Sequence, residues 1–426
     1  MRRKKEALTA DTTRFMAKFY ITKLITFSSE LEGKSKKGGF AKNFSLCPDC
    51  YKEILAGMRY LDNYLRSNLA GNTFWIIPGL FFNPLESQLT KRWIEIARDH
   101  ISSILDPDNA LSFRHKIERE LEDYRRFEEL ADLAHVHLLF YEKSKSAFKV
   151  KKLIREIPLR WIQTLNQAFL ETKALGDEVL GNNGNPKKWL LSLKDIYTLI
   201  PLRSGNTREY KKILDLYESI LSRWPLERSF LMQSFLTLSA IYLLEKPGYN
   251  IHPGKNPQLG LTFALLQGNL LLQFLEKLNI LQGGGHMTEP IARLLPESIT
   301  RYVEKMGYSE EATALFLLGY MIGAIGAEQV RGADFNAKKP ILNKINVNGM
   351  NSHQIRILSN EVFEKLDQYR IRGYYEKTFA VMKSLLDPHI SRWSLSDAES
   401  VFYLLSGYSF YIYERIQKAQ TKEENQ

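Results

Sequence analysis

The chain has 426 residues, 44% hydrophobic and 25% charged, which are the values of a folded globular protein and exclude wholesale disorder. Its formal charge of +11 and pI near 9.3 point to a polyanionic partner, a class that includes nucleic acid, a membrane surface and an acidic protein. Two cysteines in so long a chain exclude a disulfide framework and fit a reducing cytosol.

The start, MRRKKEALTADTTRF, is basic but has no apolar run behind it, so it does not read as a signal peptide. Phe19–Phe27 is a short strand candidate. Lys34, Lys36, Lys37 and Lys42 surround Gly38 and Gly39, and such a loop can lay several ammonium groups along phosphates or simply be a solvated tip. Cys47-Pro-Asp-Cys50 is a lone CxxC. A structural zinc site typically needs two such pairs, so no metal is expected here. The stretch reads instead as a helix start, with Pro48 in the first turn and Ile54, Leu55, Met58, Leu61 and Leu65 on one face.

Thr73–Phe82 is aromatic and β-branched with Pro78 inside, which predicts an edge strand or one ended by a turn. Residues 84–133 read as two helices broken at Pro107–Asp108. Alternation around Val136, Leu138 and Phe140, a turn at 143–146 and apolar residues from Ala147 to Ile154 predict a hairpin. Lys149, Lys151, Lys152 and Arg155 lie on or beyond its second strand. From 156 onward the spacing becomes helical, over 158–180, 187–200, 207–223, 228–245 and 258–280. The loop 181–188 joins Asn182, Asn183 and Asn185 to Lys187 and Lys188. Asparagine can contact base edges and lysine can hold phosphates, while Asn and Gly also suit left-handed turns.

Leu281–Pro290, LQGGGHMTEP, reads as a linker, since three glycines break an arriving helix and Pro290 suits the start of the next. After it, residues 287–426 hold 17 Lys+Arg and 17 Asp+Glu, so the net charge lies wholly before it. Helical segments are predicted near 289–306, 309–329, 351–371, 374–386 and 394–418. Gly319, Gly323 and Gly326 permit close helix–helix approach. Tyr403, Tyr408, Tyr411 and Tyr413 read as a core seam. A strip of Lys338, Lys339, Lys344 and Arg356 is the basic feature available for backbone binding. Ser229–Leu244 and Ala312–Ala327 are apolar but shorter than the ~20 residues of a membrane span. The expected class is α+β, mainly α: a mixed α/β part over 1–157, a helical middle over 158–282 and a helical bundle over 287–426.

No P-loop, HExxH or GxSxG motif is present. His135 and His137 would share one strand face, as a metal pair for a nuclease or as structural histidines. The chain reads as a binding protein rather than an enzyme. The alternatives are a metal-dependent nuclease, or a basic adaptor for an acidic protein or a membrane.

Several stretches, in order and spacing, resemble a known family. They are Phe19–Phe27; Phe40–Glu53, with Cys47-Pro-Asp-Cys50; Gly57 through Trp75-Ile-Ile-Pro78; Leu139 through Pro158; Phe316-Leu-Leu-Gly319; and Lys339-Pro-Ile-Leu-Asn-Lys-Ile345. Together they resemble the large subunit of the type I-B CRISPR surveillance complex, Cascade (the Csh-type family). The resemblance implies a non-catalytic, cytoplasmic subunit, without cofactor, at the guide 5′ end. It would read the protospacer-adjacent motif of target duplex DNA, aid unwinding and hold the displaced strand. Implied partners are guide RNA, the backbone and 5′-handle subunits, the small subunit, and a helicase-nuclease or transposition adaptor; no membrane is implied. Relatives usually carry a longer N-terminal part and a second CxxC that completes a zinc site, and this sequence departs on both points. Gly283-Gly284-Gly285 must be encoded GGNGGNGGN, one codon before the ATG of Met287. An internal start there would release residues 287–426 as a separate small subunit.

Overall fold

The computed structural model describes residues 8–9, 45–80, 87–106, 109, 112, 134–143, 148–185, 187–204, 209–282, 295–331 and 339–424. Phe19–Phe27, Lys34, Lys36, Lys37, Lys42, the helix expected after Pro107–Asp108, Gly283–Pro290 with Met287, and Lys338 lie outside the described residues. The chain is α+β and mainly α, with a small antiparallel sheet in its N-terminal part. It divides into two compact units, residues 1–102 with 112–162, and residues 103–111 with 163–426.

In the first unit, β1 (Leu8–Thr9) pairs with β2 (Ser45–Leu46). Helix α1 (Pro48–Tyr64) opens as expected: Pro48 occupies the first turn, and the Cys47 sulfur accepts the Cys50 N–H at 3.3 Å. The main sheet runs β3 (Arg66–Leu69), β4 (Asn72–Leu80), β5 (Ala134–Lys143) and β6 (Phe148–Pro158), each antiparallel to the next. β4 is therefore an inner strand, not the edge strand that is one of the two readings of Pro78, and it ends two residues after that proline. β3 covers only Asn72–Trp75, so the missing N–H of Pro78 falls where β4 pairs with β5 alone. Phe74, Ile76, Val136, Leu138 and Phe140 are buried. Helix α2 spans Ser87–Leu105.

The second unit is a helical bundle. Its helices are α3 (Leu159–Leu180), α4 (Leu193–Leu199), α5 (Tyr210–Ser222), α6 (Arg228–Leu244), α7 (Pro257–Lys277), α8 (Glu297–Lys305), α9 (Glu310–Gln329), α10 (Ser352–Gln368), α11 (Arg372–Leu386) and α12 (Asp397–Glu424). The two-residue strands β7 (Leu226–Glu227) and β8 (Leu281–Gln282) pair in parallel. Helix starts follow local chemistry: Asn256 and Ser309 cap α7 and α9, and Asn351 with Gln354 forms a capping box on α10.

α9 is buried all round and crosses α12 at very short range. A Cβ on Gly319 would lie 1.7 Å from the Leu404 carbonyl oxygen, and one on Gly407 would lie 1.8 Å from that of Phe316. Gly319 and Gly407 are thus what lets two backbones touch, while Gly323 makes room for the Tyr411 ring and Gly326 for the Lys339 stem. Tyr403, Tyr408 and Tyr413 are buried, but not in one seam: Tyr413 packs on Trp189 and Phe263, Tyr403 meets Arg228, and half-buried Tyr411 is the ring against Gly323 of α9. α7 and α9 are long and apolar enough to cross a membrane, contrary to the shorter stretches read from the sequence, but 67% and 94% of their apolar windows lie inside the bundle.

The linker expected at 281–290 does not separate one core from another. Phe235 on α6 stacks on Phe402 of α12 at 5.0 Å, and buried Asn269 of α7 donates to Ser406 of α12 at 2.9 Å. The helical regions expected at 158–282 and 287–426 share one interior, because α6, α7, α9 and α12 are apolar on too many sides to be covered separately.

Candidate nucleic-acid interface

Much of the positive charge lies in the first part of the sequence: residues 1–162 hold 29 Lys+Arg against 21 Asp+Glu. β6 is an edge strand, and it carries the predicted lysines. Lys149 is exposed opposite Glu142. Lys151 is the extra residue of a bulge between Val150 and Lys152, and its side chain is only 13% exposed. Its ammonium lies 3.5 Å from Asn72 Oδ1 and 3.8 Å from Glu142. Lys152, opposite Phe140, is half-buried, and Arg155 is exposed. Lysines on an edge strand also keep the open edge from pairing with another sheet.

The start of β6 is held by an aromatic stack. Phe148 lies 5.2 Å from Trp75 and 4.8 Å from Tyr141. Asp62 of α1 accepts from Trp75 Nε1 at 2.8 Å, from the Tyr141 hydroxyl at 3.3 Å and from the Lys143 ammonium at 3.0 Å. Burial raises the pKa of this carboxyl, but its three partners together outweigh that and hold it below the usual carboxylate range. Burial pushes the Tyr141 phenol up to about 12.

His135 and His137 do share a face, with ring centroids 4.8 Å apart. His137 Nδ1 accepts the backbone N–H of Glu156 at 3.0 Å, and Glu156 sits at φ +52 in the second bulge of β6. His135 lies against Gly79, where an added Cβ would come within 2.3 Å of its Nε2. Burial, aided by His135, pushes the His137 imidazole down and favours its neutral form. His137 thus ties down the bulge, while His135 packs on Gly79. Among the described residues no group of three or more His, Cys, Asp or Glu is placed to hold a metal. The backbone N–H of Cys50 draws the Cys47 thiol down, and the hydrogen bond to Cys47 pushes Cys50 up.

The asparagine loop is turned toward its own backbone. Asn182 Oδ1 accepts the Gly184 N–H at 3.1 Å, and Asn185 Oδ1 accepts the Lys187 N–H at 3.0 Å. Asn183 sits at φ +52 and donates to Gln420 of α12. Trp189 Nε1 and the Tyr413 hydroxyl both donate to the Gly181 carbonyl, at 2.7 and 3.2 Å. Lys187 is exposed, while the Lys188 ammonium sits 4.9 Å over the Tyr413 ring and 5.6 Å from Trp189. Burial lowers the Lys188 pKa.

Lys339, expected on an exposed strip, is instead 3% exposed. Its ammonium donates to the Tyr408 hydroxyl at 3.2 Å, its stem lies over Gly326, and burial lowers its pKa to about 8. The cause of the difference is Gly326, which leaves room for an alkyl stem inside the bundle. Lys344 pairs with Glu361 at 3.2 Å, and Arg356 is exposed. The structure therefore leaves no continuous basic strip there among the described residues.

Surface aromatic residues, Trp224 among them, escape a sequence reading, because helical spacing marks only the inward face. Tyr60 and Tyr64 form an exposed pair on α1 with centroids 4.8 Å apart. Tyr374, at the start of α11, is 84% exposed.

Profiles of two domains match the chain: CRISPR-associated protein TM1802 (cas_TM1802) central domain over residues 2–157, and its C-terminal domain over residues 191–422. No curated protein matches. The central-domain match ends at the close of the sheet, and the C-terminal match runs through the shared helical core across residues 283–294. Together the matches cover most of the sequence, and the chain belongs to the CRISPR-associated TM1802 family.

Proposed function

We propose that the chain is the non-catalytic large subunit of a type I-B RNA-guided DNA surveillance complex, Cascade. In this reading it works in the cytoplasm without a cofactor, beside guide RNA, backbone and 5′-handle subunits, a small subunit, and a helicase-nuclease or transposition adaptor. Guide pairing reads the target sequence, and the protein reads only a short duplex motif and the backbone, aids opening and holds the displaced strand. The observation that supports this reading is the concentration of positive charge in residues 1–162, the part matched by the family's central domain. Among the described residues, Lys149, Lys152 and Arg155 on the open edge of β6 are the phosphate contacts it would use.

The test has two arms. Purification through a tagged copy of this chain is expected to bring guide RNA and repeated backbone subunits with it; recovery of the chain alone overturns the assignment. Replacing Lys149, Lys152 and Arg155 with alanine should lower the salt slope of duplex binding by up to ~3, one per lost phosphate contact. An unchanged slope places β6 away from the DNA. Separate production of 287–426 from Met287 belongs to the same reading. It carries a structural consequence, since such a product uncovers Phe402 and Ser406, which α6 and α7 cover here. A short band lost on Met287→Leu tests it.

A further inference from the structure

The turn between α10 and α11, with the start of α11, carries three cations and an aromatic ring that the bundle core does not take in. Residues 369–377 read YRIRGYYEK, with Arg370, Arg372 and Lys377 against the single carboxylate Glu376. This local excess stands in a C-terminal region whose charges balance as a whole. Of the adjacent tyrosines, Tyr375 turns inward and lies 6.3 Å from Tyr320, while Tyr374 is 84% exposed. The fold thus accounts for one ring and leaves the other in solvent. Arg370 and Lys377 are exposed. The Arg372 guanidinium carbon lies 4.6 Å from the Phe363 ring centroid, so its fork is held in place. Its carboxylate neighbour, Asp367, is 3.9 Å away, at the outer limit of an ion pair. Gly373 lies between Arg372 and Tyr374, and a Cβ there would meet nothing within 4 Å, so the surface beside the ring is bare.

We propose that this patch is a docking site for single-stranded nucleic acid, with one base stacked on Tyr374 and flanking phosphates held by Arg370, Arg372 and Lys377. The proposal rests on the reading of the chain as a nucleic-acid-binding subunit and adds a second contact, in the bundle rather than the sheet. A single strand fits better than a duplex, because a protruding ring needs a base whose face is open, and paired bases cover each other's faces. It also fits better than an apolar protein surface, because within four residues of Tyr374 the chain places Arg370, Arg372, Gly373 and Lys377.

The test uses the full chain and a short oligo(dT) carrying 4-thiothymidine. Irradiation is expected to crosslink the strand to the peptide that contains Tyr374. Tyr374→Ala should remove that crosslink and weaken the contact there roughly 5- to 150-fold, the range of one base–aromatic stack, while Tyr374→Phe keeps both. Changing Arg370, Arg372 and Lys377 to alanine should lower the salt slope of single-strand binding by about 2. Tyr374 is so exposed that its loss leaves thermal unfolding unchanged, which separates binding from folding. Crosslinks confined to residues 1–162 overturn the patch and leave the function standing. No crosslink anywhere overturns both. A Tyr374 that crosslinks only to another protein of the purified complex shows a protein contact and ends the proposal.

Discussion

The sheet unit and the bundle handle charge differently. In the sheet unit Lys149, Arg155 and Lys143 stay outside, Lys151 is the one lysine of β6 drawn well in, and Asp62 and His137 fix a strand end and a bulge. In the bundle, charges are taken into the packing. Arg228 of α6 bonds Glu276 of α7 at 2.7 Å, and Tyr403 and Glu399 of α12 at 2.7 and 3.2 Å. Lys339 is buried against Tyr408, and Glu311 accepts the Ser394 N–H at 2.9 Å while only 4% exposed. Burying a charge is costly unless it is paired, so such groups specify one arrangement of helices rather than add much stability. The number of lysines in a segment therefore does not by itself give the charge on its surface, since Lys339 is a core residue.

The contrast between the units is sharpest to break at the glycine crossing. Gly319→Ala places a methyl on the Leu404 carbonyl and must push α9 from α12, so it should cost about 3 kcal/mol or more. Gly373→Ala, where a Cβ meets nothing, is the control and should be neutral or stabilising by up to ~1 kcal/mol. Denaturant unfolding of both variants is the measurement. Equal stabilities would show that the helices do not touch at Gly319.

Lys339 comes next. Its folded pKa, about 8, lies below the ordinary lysine value of 10.5, so the unfolded chain binds more protons between those limits. Below pH 8 both states are charged and the burial penalty, up to about 3 kcal/mol, is present in full. As pH rises above 8 the folded state sheds its proton and the wild type gains stability. Lys339→Met, which does not titrate, should therefore be the more stable protein at pH 7, with a gap that narrows toward pH 10. A gap that stays constant across that range would mean that the ammonium is hydrated.

Much of the helical layout is legible from spacing alone, since α6, α7 and α9 bury most of their residues and their apolar runs are long. The glycine stripe is legible too, because Gly319 and Gly323 lie one turn apart in an apolar helix. The hairpin of β5 and β6 follows from alternation around Leu138. What escapes a sequence reading is set by long-range contacts. The run Gly283-Gly284-Gly285 can end a helix, but it does not tell which core the next helix joins; here Asn269 and Ser406, far apart in sequence, decide it. The burial of Lys339 escapes for the same reason, since its surroundings come from Gly326 and Tyr408 rather than from its neighbours in sequence. The aromatic anchor of Asp62 likewise joins α1 to β4 and β5 across long stretches of chain.

The smallest effect belongs to the sheet unit and concerns the staple at His137. Its Nδ1 must be unprotonated to accept the Glu156 N–H, and burial lowers its pKa from the ordinary 6.5. The unfolded chain therefore takes up a proton first as pH falls. The contribution is fully present above pH 6.5 and is lost as pH drops through the folded value. His137→Asn keeps a side-chain acceptor near the same N–H and does not titrate. Wild type should then lose up to about 1 kcal/mol relative to the variant on acidification, the worth of one hydrogen bond. The loss should be local to the sheet, read as faster amide exchange at Glu156 and along the end of β6, with α9 and α12 unchanged. If wild type and variant follow the same pH dependence, the imidazole does not hold the bulge. The edge of β6 that presents Arg155 would then owe its shape to strand pairing alone.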